Sequence, residues 1–333
     1  MKRFFIAILA VAALSGCKKD ALPGDDERKD LIRFSGVDTR AVITNGSQIT
    51  QFAVFAEQNL GPDDTPEALQ WVSLLKDERV YRDDSGDFTY DNKRYWIPER
   101  TFFFFGVHPY GASVTREQNS DAKTFKYTLD IAVPTNAATD YMAAQKTVPV
   151  GLAPKVYPVV DMSFTHLLSK VAFKIMKSSE YNADDTFTVT QVGLSGISAR
   201  ATFIAEHGPN TYSEKLTVIP ENRQVRRQGL NEVITTSGVN VLGDDDGLLL
   251  VPQEFAGGQV KLSVNYTYKG AGDTENTYLT LEVPIPADKV SKWESGKSYV
   301  YTLTLMIDHN IYISTPTVSD WGTAQPGGTI IIQ

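Results

Sequence analysis

VVDMSFTHLLSKVAFKIM, residues 159–176, holds two alternating apolar runs joined through Phe164-Thr165-His166-Leu167-Leu168-Ser169-Lys170-Val171. In the second run Val171, Phe173 and Ile175 fall on one side of an extended chain and Lys174 on the other, the period of a half-buried strand. Similar runs lie on both sides of it. Earlier ones are Phe52–Ala56, Thr101–Val107 and Phe125–Val133; later ones are Thr186–Val192, Leu216–Ile219, Leu248–Val251, Val260–Tyr268, Thr277–Val283, Tyr299–Ile307 and Ile311–Val318. Val260, Leu262, Val264 and Tyr266 share one face while Lys261, Ser263, Asn265 and Thr267 share the other. Turn signals separate the runs at Asp84-Ser85-Gly86-Asp87, Gly257-Gly258, Gly270-Ala271-Gly272-Asp273 and Gly327-Gly328. Strands without intervening helices indicate an all-β chain of antiparallel β-sandwiches and argue against a parallel α/β sheet. The best helical pattern is Pro66–Lys76, with Thr65 as cap and Leu69, Val72 and Leu75 three apart; a connecting loop is the alternative.

The first residues form a removable export signal. Lys2 and Arg3 make a basic start, Phe4 to Leu14 an apolar run, and Leu14-Ser15-Gly16-Cys17 a small-residue cleavage box resembling the lipobox of bacterial lipoproteins. Eleven apolar residues rise only about 16 Å as a helix, roughly half of a membrane's hydrocarbon core. Cleavage between Gly16 and Cys17 leaves lipid on Cys17, the only cysteine, so the mature chain has no free thiol or disulfide. Loss of residues 1–16 takes away two of 32 basic residues and none of 40 acidic ones, moving the net charge from −8 to −10. Such a chain does not attract nucleic acid nonspecifically. Residues 17–30, with Pro23, Gly24, Asp25, Asp26 and Glu27, read as a polar tether. The length suits two domains, 31–165 and 166–333.

The stretch quoted first resembles the F-x-H-x-L-[AS]-K-V signature of the Bacteroidetes fimbrillin family, the subunits of type V pili. Tyr95-Trp96-Ile97-Pro98 with Phe102–Tyr110, Trp293-Glu294-Ser295-Gly296-Lys297-Ser298-Tyr299, and Val318-Ser319-Asp320-Trp321 resemble further motifs of that family in the same order. Thr139-Asp140-Tyr141-Met142-Ala143-Ala144 follows its D-L-L-x-A pattern only loosely. The resemblance implies two sandwiches of transthyretin-like topology with a boundary near His166. It also implies partners: other pilin subunits or further copies of the chain, the outer membrane through lipid in the precursor, and a surface receptor for cell adhesion. His166 itself reads as a structural histidine among apolar residues, with Lys170 able to extend its charge to water.

In type V pilins an arginine-specific protease cuts after the first strand, releasing strand and lipid together. Here Leu31–Val37 is similar to that strand, and cleavage falls between Arg40 and Ala41; an ordinary loop arginine is the alternative. A sandwich that loses a strand exposes an apolar groove and unpaired backbone groups, which a strand from a neighbouring subunit can fill. The family's donor is C-terminal, and this chain ends in Gly327-Gly328 followed by Thr329 and Ile330-Ile331-Ile332, a strongly β-forming run that could equally be an ordinary last strand.

Enzyme and cofactor signals fail for want of converging groups. Gly296-Lys297-Ser298 lacks the leading glycine of a phosphate loop, since Ser291 stands in its place. Gly193-Leu194-Ser195-Gly196 lacks the spacing of a nucleophile elbow. His108, His166, His207 and His309 are scattered, and the acidic runs Asp83–Asp87 and Asp244–Gly247 lack an EF-hand's regular loop and terminal glutamate, so no metal or other cofactor is expected. A second functional class is a surface glycan binder that stays lipid-anchored, provided Tyr266 with Tyr268, or Tyr95 with Trp96, form an exposed platform.

Overall fold

Four consecutive phenylalanines, Phe102–Phe105, can all be buried only in a strand covered on both faces. The computed structural model, which describes residues 28–35, 49–59, 71–120, 123–152, 154–208, 211–242, 246–308 and 310–321, shows this arrangement. Phe102 and Phe104 enter one core with Phe34, Phe52, Trp96, Met162 and Phe164. Phe103 and Phe105 enter another with Phe55, Phe125, Tyr127 and Phe203. Their strand, Arg100–His108, lies inside a six-stranded sheet ordered Thr165–His166, Met142–Val150, Arg100–His108, Gln51–Asn59, Trp71–Arg82 and Phe88–Tyr90. One face carries the pair Arg33–Ser35 and Val159–Asp161. The other packs on a four-stranded sheet ordered Tyr212–Ile219, Arg200–His207, Thr124–Ala132 and Val114–Asn119.

A second sandwich follows. Ser169–Lys177 pairs with Lys297–Leu305, flanked by short strands at 239–240, 248–250, 311–313 and 317–320. Facing it is the sheet Arg223–Val233, Thr186–Ile197, Lys261–Lys269 and Thr277–Pro284. Val171, Phe173 and Ile175 meet Val189, Leu194, Leu262 and Tyr266 in a core continuous with that of Phe103 and Phe105.

The chain is all-β and mostly antiparallel, yet Arg33–Ser35 runs parallel to Val159–Asp161 and Ser169–Lys177 parallel to Lys297–Leu305. Residues 71–76 are strand, not the helix expected over Pro66–Lys76; residues 66–70 lie outside the described residues. Two register shifts against Gln51–Asn59 are the cause. Leu74 is skipped between Leu75 and Ser73, and an extra residue sits near Asp77, whose φ is +49°. Each bulge reverses which face the next side chain meets, so Trp71, Leu75 and Val80 acquire irregular apolar spacing within one strand. The strand Arg200–His207 pairs with Thr124–Ala132 over eight positions, from Arg200 with Ala132 to His207 with Phe125. A sheet therefore crosses the line drawn between residues 165 and 166.

Glu57 is fully buried between the two sheets of the first sandwich. Its carboxylate accepts Arg116 Nε at 2.6 Å and Nη2 at 2.8 Å, and the Tyr127 hydroxyl at 2.5 Å. Burial, together with that carboxylate, pushes the Tyr127 hydroxyl above its ordinary range. Nothing in the sequence pattern marked this trio. Arg116→Met leaves a buried charge without its cation, and chemical denaturation should show a loss of about 3–5 kcal/mol.

His207 lies among Trp71, Phe103 and Phe125, with ring centroids 4.8, 5.0 and 5.2 Å away. Burial holds its imidazole below the usual 6.5. The unfolded chain therefore takes up this proton more readily than the folded one, so the contribution is complete above about pH 6.5 and is lost as pH falls through the lower folded value. Melting curves should show stability declining on the acid side of that point, and His207→Phe should flatten the slope.

Candidate functional site

The short strand Arg33–Ser35 covers a doubly buried sheet with very little chain. Leu31, Ile32 and Phe34 are buried, whereas Arg33 and Ser35 are exposed. The Phe34 ring meets Tyr90, Phe104 and Phe52 edge-on at 5.5, 5.8 and 6.3 Å. Ile32 N–H donates to the Arg94 carbonyl at 2.9 Å, Trp96 N–H to that of Asp30 at 2.8 Å, and Tyr90 hydroxyl to that of Ile32 at 3.0 Å. On the other side, Met162 N–H donates to the Ser35 carbonyl at 3.2 Å and three residues pair with Val159–Asp161. A cavity of about 370 Å³ runs beside the strand, lined by Ile32, Phe34, Asp83, Phe88 and Tyr90 among others. Each fully buried apolar side chain contributes about 1.5–3 kcal/mol, so this cover is held by a few contacts.

A second feature lies where the described chain ends. The Trp321 ring stacks on His166 with centroids 3.7 Å apart and planes 14° apart. His166 Nδ1 pairs with Asp140 Oδ2 at 2.7 Å, both side chains buried. Lys170 Nζ stands 5.6 Å from the Trp321 ring. Backbone bonds tighten the same junction: Trp321 N–H to the Gly296 carbonyl at 2.7 Å, Gly296 N–H to Leu168 at 2.9 Å, and Leu167 N–H to Tyr141 at 2.8 Å. Ser169 Oγ donates to the Glu294 carbonyl at 2.8 Å and Ser295 Oγ to that of Leu167 at 3.0 Å, while Lys297 pairs with Asp320. Four segments far apart in sequence, around Asp140, His166, Gly296 and Trp321, form one clasp. It pins the exposed strand Thr317–Asp320 at its end.

The expected working residues divide sharply. Gly16, Cys17, Arg40, Ala41, Ile330, Ile331 and Ile332 lie outside the described residues, as do Asp244, Asp245 and His309. His166 is structural in its surroundings, as its sequence context suggested. The proposed aromatic platforms are corrected: Trp96 and Tyr266 are each 2% exposed and pack in the cores, because alternation turned them inward. The acidic turn closes on itself, Asp83 Oδ1 accepting the N–H groups of Ser85 and Asp87 at 2.9 and 3.0 Å. Asp246 pairs with Arg227 at 3.2 Å. Among the described residues no three His, Cys, Asp or Glu side chains converge as a metal site.

A model of a family described as fimbrillin-like matches residues 39–321, ending on the clasp tryptophan, and one for the prokaryotic membrane lipoprotein lipid attachment site matches residues 1–17. Comparison with curated protein sequences gives no match. Among solved structures, a fimbrial protein from Bacteroides vulgatus superposes with a TM-score of 0.56 at 17% identity, covering 81% of this chain and 92% of that one. That likeness is one of fold. A candidate cell adhesion protein from Bacteroides uniformis gives a TM-score of 0.47 at 20% identity, covering 87% and 97% of the two chains.

The clasp is testable locally. Trp321→Ala should lower stability by about 3–5 kcal/mol and speed hydrogen exchange across Thr317–Asp320, with Gln51–Asn59 keeping its protection. Equal acceleration in both strands would count against a clasp confined to the chain end.

Proposed function

The chain belongs to the fimbrillin-like family and carries a lipoprotein attachment signal, and from that premise we propose that it is a pilus subunit or pilus-associated adhesin that assembles by strand exchange. Its family is one of fimbrial structural proteins; it is a surface lipoprotein, lipid-anchored at least as precursor, and not an enzyme. In this proposal Cys17 carries lipid and becomes the first residue on cleavage following Gly16. A protease then cuts between Arg40 and Ala41, within the segment 36–48 that follows the covering strand. Release of residues 17–40 removes Leu31, Ile32 and Phe34 from their core, and Ile330, Ile331 and Ile332 of a neighbouring copy replace them. We assign transthyretin-like topology to both sandwiches and keep a division near His166, with the hairpin Arg200–Ile219 lent across it.

The observation that carries the proposal is the geometry of the cover. Residues 31–35 shield one face of a sheet already buried on the other, through few backbone bonds, and a connection bearing an arginine follows directly. Losing so short a strand uncovers aromatic side chains and backbone groups that another extended segment can satisfy.

Mass spectrometry of protein from its native surface tests it. Expected are a mature N-terminus at Ala41 and a ladder of detergent-resistant oligomers. Arg40→Ala should leave lipidated, unpolymerised chains, and Ile331→Asp should abolish the ladder without unfolding the monomer. Lipid on Cys17 of every wild-type molecule would overturn processing, and with it the exchange step.

A further inference from the structure

The outer sheet of the second sandwich presents ordered transverse rows, because paired residues on neighbouring strands share a face. One row reads Arg226, Gly193, Ser263 and Glu282; the next reads Gln228, Gln191, Asn265 and Thr280; the third reads Val233, Thr188, Thr267 and Tyr278. In the first row, long charged side chains stand on the edge strands while the middle positions carry a glycine and a serine. The centre of that row is therefore low but close-packed. A β-carbon at Gly193 would stand 3.0 Å from Ser263 Oγ, 2.9 Å from the Val225 carbonyl oxygen and 3.1 Å from Arg226 Cβ.

Ser263 is 9% exposed, and its hydroxyl has no hydrogen-bond partner among the described residues. Asn265 Oδ1, one row away on the same strand, is buried and in the same condition. Buried polar atoms are ordinarily paired, so two neighbouring exceptions on one sheet face point to a partner outside the described residues. Around them stand groups already ordered for hydrogen bonding: Gln228 Nε2 donates to Gln191 Oε1 at 2.8 Å, and Lys261 pairs with Glu282 at 2.8 Å. At the end of the third row Tyr278 is 81% exposed.

We propose that this face binds a neutral oligosaccharide. Sugar hydroxyls donate and accept at once, and so satisfy both Ser263 Oγ and Asn265 Oδ1. The planar amide, guanidinium and carboxylate groups of Gln191, Arg226 and Glu282 offer paired hydrogen bonds to adjacent hydroxyls. The Tyr278 ring supplies an apolar surface for the C–H side of a pyranose. Successive rows lie about 7 Å apart along the strands, which separates Tyr278 from Ser263 by about 14 Å, a few sugar rings. An anionic ligand is disfavoured by Glu282, which holds Lys261. A protein partner is disfavoured because the exposed apolar side chains of this face, Val233 and Tyr278, sit at opposite ends of one row with threonines between them, whereas a protein interface concentrates apolar groups at its centre. Saccharide binding here is independent of polymerisation; on a polymer, repeated weak sites would act together.

Saturation-transfer NMR and calorimetry on the full mature chain, with neutral linear gluco-, manno-, xylo- and N-acetylglucosamine oligosaccharides at millimolar concentration, test the proposal. At least one series should bind. Tyr278→Ala and Ser263→Ala should each weaken it about tenfold, with melting temperature and oligomer ladder unchanged; Tyr278 is too exposed for its loss to unfold the sheet. Absence of binding by every series, or binding unaltered in both variants, overturns the proposal. So does loss of contact between copies without loss of saccharide binding, which would make this face a subunit interface.

Discussion

A sheet apolar on both faces needs two covers, and the whole molecule is arranged around supplying them. Phe52, Phe102 and Phe104 point one way; Phe55, Phe103 and Phe105 point the other. The second group lies under a full four-stranded sheet, while the first depends on residues 31–35 and 159–164. Such asymmetry separates stability from exchangeability. The larger cover draws strands from two distant parts of the chain, while the smaller one rests on two short segments.

Buried polar groups set where the remaining pieces join. Glu57 brings Arg116 and Tyr127 to one point between two sheets, and an ion pair there favours a single register because any slip strands a charge. His166 does similar work at the other junction, pairing with Asp140 while its face receives Trp321. The last described strand, Thr317–Asp320, is exposed along its whole length. Its position follows from the residue that ends it.

Much of this was legible in the chain where alternation and burial coincide. Val260, Leu262, Val264 and Tyr266 are inward as their spacing indicates. Strand 142–150 escaped notice because Gln145, Lys146 and Thr147 interrupt its apolar pattern at a solvent-facing stretch. Residues 71–76 resembled a helix because bulges opposite Ala56 and Glu57 broke their period. Pairing of 200–207 with 124–132 is a long-range choice that no local pattern carries. The sites divide in the same way. Cys17 and Arg40 can be read as short motifs, whereas the rows through Gly193 and Ser263 exist only once four strands are in register, including the irregularity between Val189 and Gln191.

The geometry of the first cover also limits what could replace it. Arg33–Ser35 runs parallel to Val159–Asp161 and presents one buried side chain, Phe34, between two exposed ones. A substitute must enter in the same direction and place an apolar residue over Tyr90 and Phe104. In most sequences a one-residue slip would turn a polar side chain inward, because strand faces alternate. In the exchange proposed above, Ile330-Ile331-Ile332 would escape this constraint, since three consecutive isoleucines offer an apolar side chain in either register. Within that proposal, such a donor would give up register specificity and gain tolerance of a neighbour docking one residue early or late, because strand faces alternate.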